Sequence, residues 1–375
     1  MDFTTVDYII QSAIKNGLFP GAALGVVVDN AIFIRKFYGR HTFVPWTRQI
    51  DPSSLFDLAS LTKPLCTALA VATLVQDGLI CLNQQLGDFF HHISKEKAQI
   101  TIRHLLTHSS GLEAWFPIYN VINVKQSQKL SNRRWLNFVC KLILERPLVY
   151  ETGKKALYSD LGFMLLAQIV EQVSGQNLWE FVSKYLFSPL HLKKIGVFDY
   201  NTSHQLELFV PTGFCSIRKR MCWSEVNDLN AWSIGGLPGH AGLYSNLDDL
   251  LILLNSIMIC YLGHQVSGLA LKSTTLSRFV EYRENSSSIN WALGFDRPSS
   301  SSSSSGHFFS KNSVGHLGYT GTSFWMDLDA RIIVVFLSAR TFPFDVDKDK
   351  KRMKYLRIRL HDKIREIIGR IQGFV

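Results

Sequence analysis

The stretch Leu55-Phe56-Asp57-Leu58-Ala59-Ser60-Leu61-Thr62-Lys63 joins a short apolar entry to the head of a helix. From Ser60 onward Leu65, Leu69, Ala72 and Val75 fall on one stripe, and Gly78 is placed to end the helix. Ser60 and Lys63, three residues apart in the first turn, share a face. There a lysine amine can take the proton of a serine hydroxyl, and the helix dipole favours the resulting oxyanion. A serine activated in this way forms acyl-enzymes. The plainer reading is a buried helix with a serine N-cap and a solvated lysine. The rest of the chain decides between them.

Val6, Ile9, Ile10, Ala13 and Ile14 mark an amphipathic first helix, ended by Gly17 and Pro20. Ala22 to Val28 and Ala31 to Phe37 are apolar, β-branched runs that meet at Asp29-Asn30, which is a hairpin signal. Thr322 to Leu328 and Arg331 to Leu337 repeat the pattern around Asp329-Ala330. From Ser60 to about Ser256 helical spacing dominates. Strands at both ends with helices between them predict an α/β (α+β) fold: one antiparallel sheet built from both termini, flanked by helices, with a mostly helical lobe inserted. Residues 1–58 and about 290–375 form the sheet-containing region and 59–289 the helical one, within one catalytic domain spanning 1–375. The serine run Ser299 to Ser305 reads as a flexible loop.

A chain of 375 residues, 46% hydrophobic and 12% aromatic, can bury a large core and is not disordered over most of its length. The net charge of +10 is concentrated at the end, where Lys348, Lys350, Lys351, Arg352, Lys354, Arg357, Arg359, Lys363, Arg365 and Arg370 crowd together. Such a run can bind nucleic acid or a membrane surface. Met353, Leu356, Leu360, Ile364, Ile367 and Ile371 recur through it at helical spacing, so a docked helix with a solvated basic face accounts for both patterns. No nucleic-acid partner is therefore expected. The six cysteines form no C-x-x-C pair, and most lie among apolar neighbours, as reduced core cysteines do. The start of the chain shows no secretory pattern, and the greasy run Leu250 to Leu262 is too short to cross a bilayer. A cytoplasmic setting is the expectation, with no transmembrane segment.

Two further motifs follow Ser60-x-x-Lys63. Tyr158-Ser159-Asp160 precedes a helical run, Leu161 to Leu166; a tyrosine there can act as general base if a lysine cation holds it as phenolate or shares its proton. Asp160 can pair with that lysine or with a substrate amide. Gly315-His316-Leu317-Gly318-Tyr319-Thr320-Gly321 heads the strand that ends at Asp327, and its glycines suit close approach of a ligand backbone. The Tyr319 and Ser60 amides would make an oxyanion hole. His104 and His108 lack the glutamate of a zinc-protease helix, no G-x-S-x-G elbow appears, and no metal or cofactor is expected.

Together the three motifs resemble the serine β-lactamase and penicillin-recognising family, closest to its class C-like and esterase branch, over nearly the whole chain. Ser60 and Lys63 match its S-x-x-K, Tyr158 and Asp160 stand at its Y-x-N, and His316-Leu317-Gly318 stands at its K-T-G. Ile102 to Leu112 and Gly235 to Leu243 look familial too and are read as scaffold. The resemblance implies Ser60 as nucleophile, Lys63 as base or proton relay and Tyr158 as general base. Asp160, His316, Gly318 and Tyr319 would then bind a small acyl substrate. Two departures matter. Asp160 in place of asparagine favours the Lys63 cation and moves the base duty toward Tyr158. His316 in place of lysine weakens the pull on an anionic substrate, with Arg340 as a candidate for the missing charge. An esterase or D-peptidase is favoured; a β-lactamase, or a penicillin-binding sensor without turnover, stays open.

Overall fold

The computed structural model describes residues 3–122, 132–198, 205–284, 288–299 and 303–372. Helix α1 (Thr4–Lys15) buries Val6, Ile9, Ile10 and Ala13. It leads into β1 (Gly21–Val28) and β2 (Ala31–Gly39), an antiparallel pair. Asp29 and Asn30 at the turn both have positive φ, +47° and +65°, the conformation a tight two-residue hairpin requires. At the far end β7 (Val314–Leu317), β8 (Ser323–Asp327) and β9 (Ile332–Ser338) complete the sheet in the order β2-β1-β9-β8-β7. β1 pairs with β9, so both ends of the chain meet at the centre of one antiparallel sheet, as expected.

The strands alternate faces. Leu24, Val26, Val334 and Phe336 point to a core shared with α1 and the long terminal helix α7 (Asp347–Gln372). Ala23, Val27, Ile333, Val335 and Leu337 point the other way, to the larger core. Against that face packs α6 (Leu247–Tyr261), so closely that a Cβ on Gly25 would stand 2.7 Å from Leu251 Cδ2. The run read as a buried helix is this element. Fully buried Phe324, Trp325 and Phe336 each contribute about 1.5–3 kcal/mol by leaving water.

Four expectations are corrected. The helix headed by Ser60 is not regular: a 3₁₀ turn (Ala59–Leu61) passes into a π-helical segment (Lys63–Ala68) before α2 (Leu69–Gln76). Pro64 has no N–H to donate, and its ring crowds the carbonyl four residues back, which opens the turn. This helix has no outer face, since Leu65 through Leu74 are all buried; Gly78 ends it at φ +71° as read. The glycine-rich motif does not head β8. It forms the separate edge strand β7 and the turn to β8, because Gly318 N donates to Thr322 O at 2.7 Å and closes a hairpin. Of the serine run, Ser300 to Ser302 lie outside the described residues, but Ser304 and Ser305 are buried and fixed. Ser304 accepts from Trp325 Nε1 and, at its carbonyl, from His361 Nδ1. The terminal helix does dock an apolar stripe (Met353, Leu356, Leu360, Ile364, Ile368), but Arg357 and His361 lie within that stripe and are buried too. Ile368 takes the place expected for Ile367, and the Ile371 side chain lies outside the described residues.

Two small strand pairs absent from the sequence reading are also present: β3 (Phe56–Asp57), just before the helical region, with β6 (Tyr244–Ser245), and within that region β4 (Gly213–Cys215) with β5 (Arg220–Cys222). Among the described residues no helix is long and apolar enough to cross a membrane.

Candidate active site

Ser60 is presented by a kink. Ala59, the residue before it, has φ +47°, an uncommon conformation for a residue with a side chain. The Asp57 carboxylate holds it there by accepting the Ala59 N–H at 2.8 Å. Asp57 is itself fully enclosed, and burial lifts its pKa to about 6 against the backbone N–H groups of Asn227 and Ala59. Three residues on, Lys63 is completely buried; its ammonium donates to Ser60 Oγ at 3.1 Å and His240 O at 3.0 Å and forms an ion pair with Asp160 Oδ1 at 2.6 Å. The solvated lysine of the plainer reading is excluded.

Asp160 opens α4 (Asp160–Ser174), whose N-cap Ser159 accepts from Gly162 N and donates to Glu113 O. Tyr158, just before the cap, therefore points into the site. Its ring lies 4.7 Å from Lys63 Nζ, with the rings of His108 at 4.6 Å, Trp291 at 5.7 Å and His316 at 5.9 Å. His108 is fixed in turn by the Ser159 N–H, which donates to its Nδ1 at 3.0 Å. His108 and Trp291, given no role in the sequence, thus help pack the tyrosine into position. His108 lies in the familial Ile102 to Leu112 stretch, whereas nothing around Trp291 marked it.

The electrostatics follow the Asp160 departure. Burial works against the Lys63 cation, but the Asp160 carboxylate and then the Tyr158 hydroxyl outweigh it and hold the lysine pKa above its ordinary value. Burial also raises Tyr158, and Lys63 and Ser60 do not offset it, so the resting side chain is a neutral phenol rather than the phenolate considered above. On the far side of Asp160, Asp228 caps α5 (Leu229–Ile234) and accepts from His240 Nε2 at 2.9 Å. Ligand atoms of Asp160, Asp228 and His240 lie within 4.8 Å of one another, a spacing a metal ion could use; the Lys63 ammonium already supplies a cation to this group.

His316, on edge strand β7, donates from Nδ1 to Leu317 O at 2.9 Å; burial and the nearby Lys63 push its pKa down to about 3. It is neutral, as the lysine-to-histidine departure implied. Gly318 leaves no room for a side chain, since a Cβ would sit 2.0 Å from Thr322 Oγ1 and 2.7 Å from Leu58 O. The Tyr319 hydroxyl donates to Asp345, and its ring is covered by Arg340 at 4.6 Å.

Two cavities meet at Ser60, Tyr158 and Tyr319. One, of about 570 Å³, carries Asp160, Asp228 and Asp345 with Trp115, Phe214 and Ile217. The other, of about 770 Å³, carries Trp291, His316 and a set of cations, Arg297, Arg340, Lys350, Lys354 and Arg357. Arg340 is committed to Asp345 at 2.7 Å. Arg357 is not. Its Nη2 donates to Thr322 O, its Nε has no partner, and among the described residues no carboxylate lies within ion-pair distance. Burial and neighbouring Arg340 lower its pKa to about 9.

The family model described as Beta-lactamase matches residues 6–357, and the three motifs stand together around one cleft. The chain belongs to the beta-lactamase family. Within it, this enzyme is 30% identical over 344 residues to the N-acetylmuramyl-L-alanine amidase of Bacillus subtilis (strain 168), covering 84% of this chain and 76% of that protein. Its fold is that of a penicillin-binding protein homologue from Pyrococcus abyssi, with a TM-score of 0.71 at 18% identity over 100% of this chain and 78% of the other. EstCE1, a hydrolase with promiscuous acyltransferase activity, superposes with a TM-score of 0.70 at 17% identity over 95% and 98%. This beta-lactamase-family protein is a serine hydrolase.

Proposed function

We propose that Ser60 attacks the carbonyl of an amino-acid amide or ester whose leaving group carries a carboxylate, a D-peptidase-like reaction through an acyl-enzyme. The observation that carries this reading is Arg357, a buried guanidinium without a carboxylate partner, on the wall of the larger cavity beside Ser60. A buried charge left unpaired costs several kcal/mol, and an anionic ligand would relieve that cost. The substrate carboxylate would then sit among cations on the terminal helix rather than at His316, which is neutral. The Bacillus relative's name, an amidase for a bond to alanine, supports an amide of this kind.

Lys63 and Tyr158 move the proton of Ser60. The Ser60 and Tyr319 amides, which donate no other hydrogen bond among the described residues, hold the oxyanion. Asp160, Gly318 and His316 line the path of the substrate. A cytoplasmic setting is supported by six free cysteines, with Cys81 exposed.

A panel of p-nitrophenyl esters, D-alanyl peptides and a chromogenic cephalosporin tests this, with Ser60→Ala as control. The expected result is turnover highest where the leaving group bears a carboxylate and absent in Ser60→Ala. Turnover of neutral esters alone would identify an esterase, and a persistent adduct with the cephalosporin a penicillin-binding sensor.

A further inference from the structure

An ammonium has three N–H donors. Lys63 donates to Ser60 Oγ and His240 O and forms an ion pair with Asp160 Oδ1; held as the ammonium by that pairing, it has no lone pair with which to receive the Ser60 proton. To receive it, Lys63 must pass one of its own protons on. Of the two acceptors beyond Ser60, His240 O is a backbone carbonyl and a far weaker base than a carboxylate; the Asp160 carboxylate, at 2.6 Å, is the one placed to take a proton in passing.

We infer that Asp160 is the proton acceptor for acylation, with Lys63 relaying the Ser60 proton to Asp160 Oδ1. The inference rests on the reading of Ser60 as the acylated nucleophile. It reverses the part first assigned to the aspartate, which was substrate binding, and it gives the residue that departs from the family's asparagine a chemical task.

The steps balance. The Ser60 Oγ–H bond breaks as Oγ bonds the carbonyl carbon; Lys63 Nζ gains that proton and gives one to Asp160. The leaving atom takes the phenol proton of Tyr158 as its bond to carbon breaks, and the Asp160 proton returns through Lys63 to the Tyr158 oxygen. In deacylation water bonds the acyl carbon and its proton travels by Tyr158 and Lys63 to Asp160. Ser60 Oγ then recovers it as the acyl bond breaks.

The groups facing Asp160 fit this path. Lys63 approaches from the segment before α2, and Tyr158 precedes it on its own element. Asp228 and His240 lie opposite. Asp228 is held ionised, its pKa lowered to about 2 by His240 and the Ala231 N–H against the cost of burial, so it does not compete for the proton. Neutral Tyr158 is suited to give a proton before it takes one.

The test is the burst of p-nitrophenol from p-nitrophenyl acetate, which has no amide or charge for Asp160 to bind and a leaving group that needs no acid. Wild type, D160N, D160E and S60A are compared from pH 5 to 9, with melting curves to establish folding. The expected result is a burst rate at least about 100-fold slower in D160N across the pH range, and partial rescue by D160E. A D160N burst at the wild-type rate with an unchanged profile, while S60A shows none, overturns the proposal and leaves the nucleophile intact. A full burst from S60A overturns the nucleophile itself. If D160N does not fold, D160E decides: a slowed burst supports the relay, and a burst at the wild-type rate refutes it.

Discussion

Ala59 and Gly318 fix the reacting geometry from opposite sides of the cleft, one by a left-handed backbone and the other by the lack of a side chain. A methyl at Gly318 meets Thr322 Oγ1 and Leu58 O, so the β7–β8 turn must move away from Ser60. Gly318→Ala is therefore expected to lower kcat on the order of 100-fold, the cost of misplacing a reacting group by about 1 Å. Stopped-flow acylation rates alongside a thermal melt check this, since the fold should be largely kept. At this scale much was legible. Ser60 and Lys63 stand together because three residues of one helix head separate them, whereas Tyr158 was matched to them through its motif and is brought there by the packing of α4. The protonation of Tyr158 was not legible, because it depends on burial by His108 and Trp291, residues 50 before it and 133 after it.

The terminal helix shows how an element can mislead. Its apolar stripe was readable from Met353 to Ile364, but the stripe runs through Arg357, one cation in a run of ten that periodicity alone assigns to solvent. Only the packing of α7 against the β7–β8 hairpin turns that guanidinium inward, to Thr322 O at 2.9 Å. Replacing it with leucine removes a buried charge that has no counter-ion. Arg357→Leu is expected to melt at or above the wild-type temperature, measured by calorimetry. Its kcat/KM should fall roughly 10- to 150-fold on carboxylate-bearing substrates, matching about 1.5–3 kcal/mol for a lost hydrogen bond to a charged group, and less on neutral esters. The π-helical segment after Ser60 was signalled only by Pro64, whose effect on a helix that continues through it is set by the surrounding core.

For the whole molecule, the meeting of both chain ends in one sheet was legible, since each end carries its own hairpin. That Ser60 and the β7 edge face one site was legible only through the family resemblance, because the two lie more than two hundred residues apart. The interior holds titratable groups whose effects on stability oppose one another. His41, His316 and His361 are pushed down to about 4, 3 and 4, chiefly by burial, and His108 lies well below its ordinary value. The unfolded chain takes up these protons below about pH 6.5 while the folded one does not, so stability is lost as the pH falls through that window. Asp57 and Asp296, lifted to about 6 and 7 by burial, do the reverse and add stability as the pH drops from about 7 toward 4. Four histidines outweigh two carboxylates, so the melting temperature is expected to fall from pH 7 to pH 5. A differential scanning calorimetry series checks the sign.

The central claim is that Ser60 carries the acyl group. Intact-mass spectrometry after incubation with a serine-directed fluorophosphonate, followed by peptide mapping, tests it most directly. The account predicts a single adduct on the peptide containing Ser60 and none in Ser60→Ala; an adduct on another residue, or equal labelling of Ser60→Ala, would contradict it.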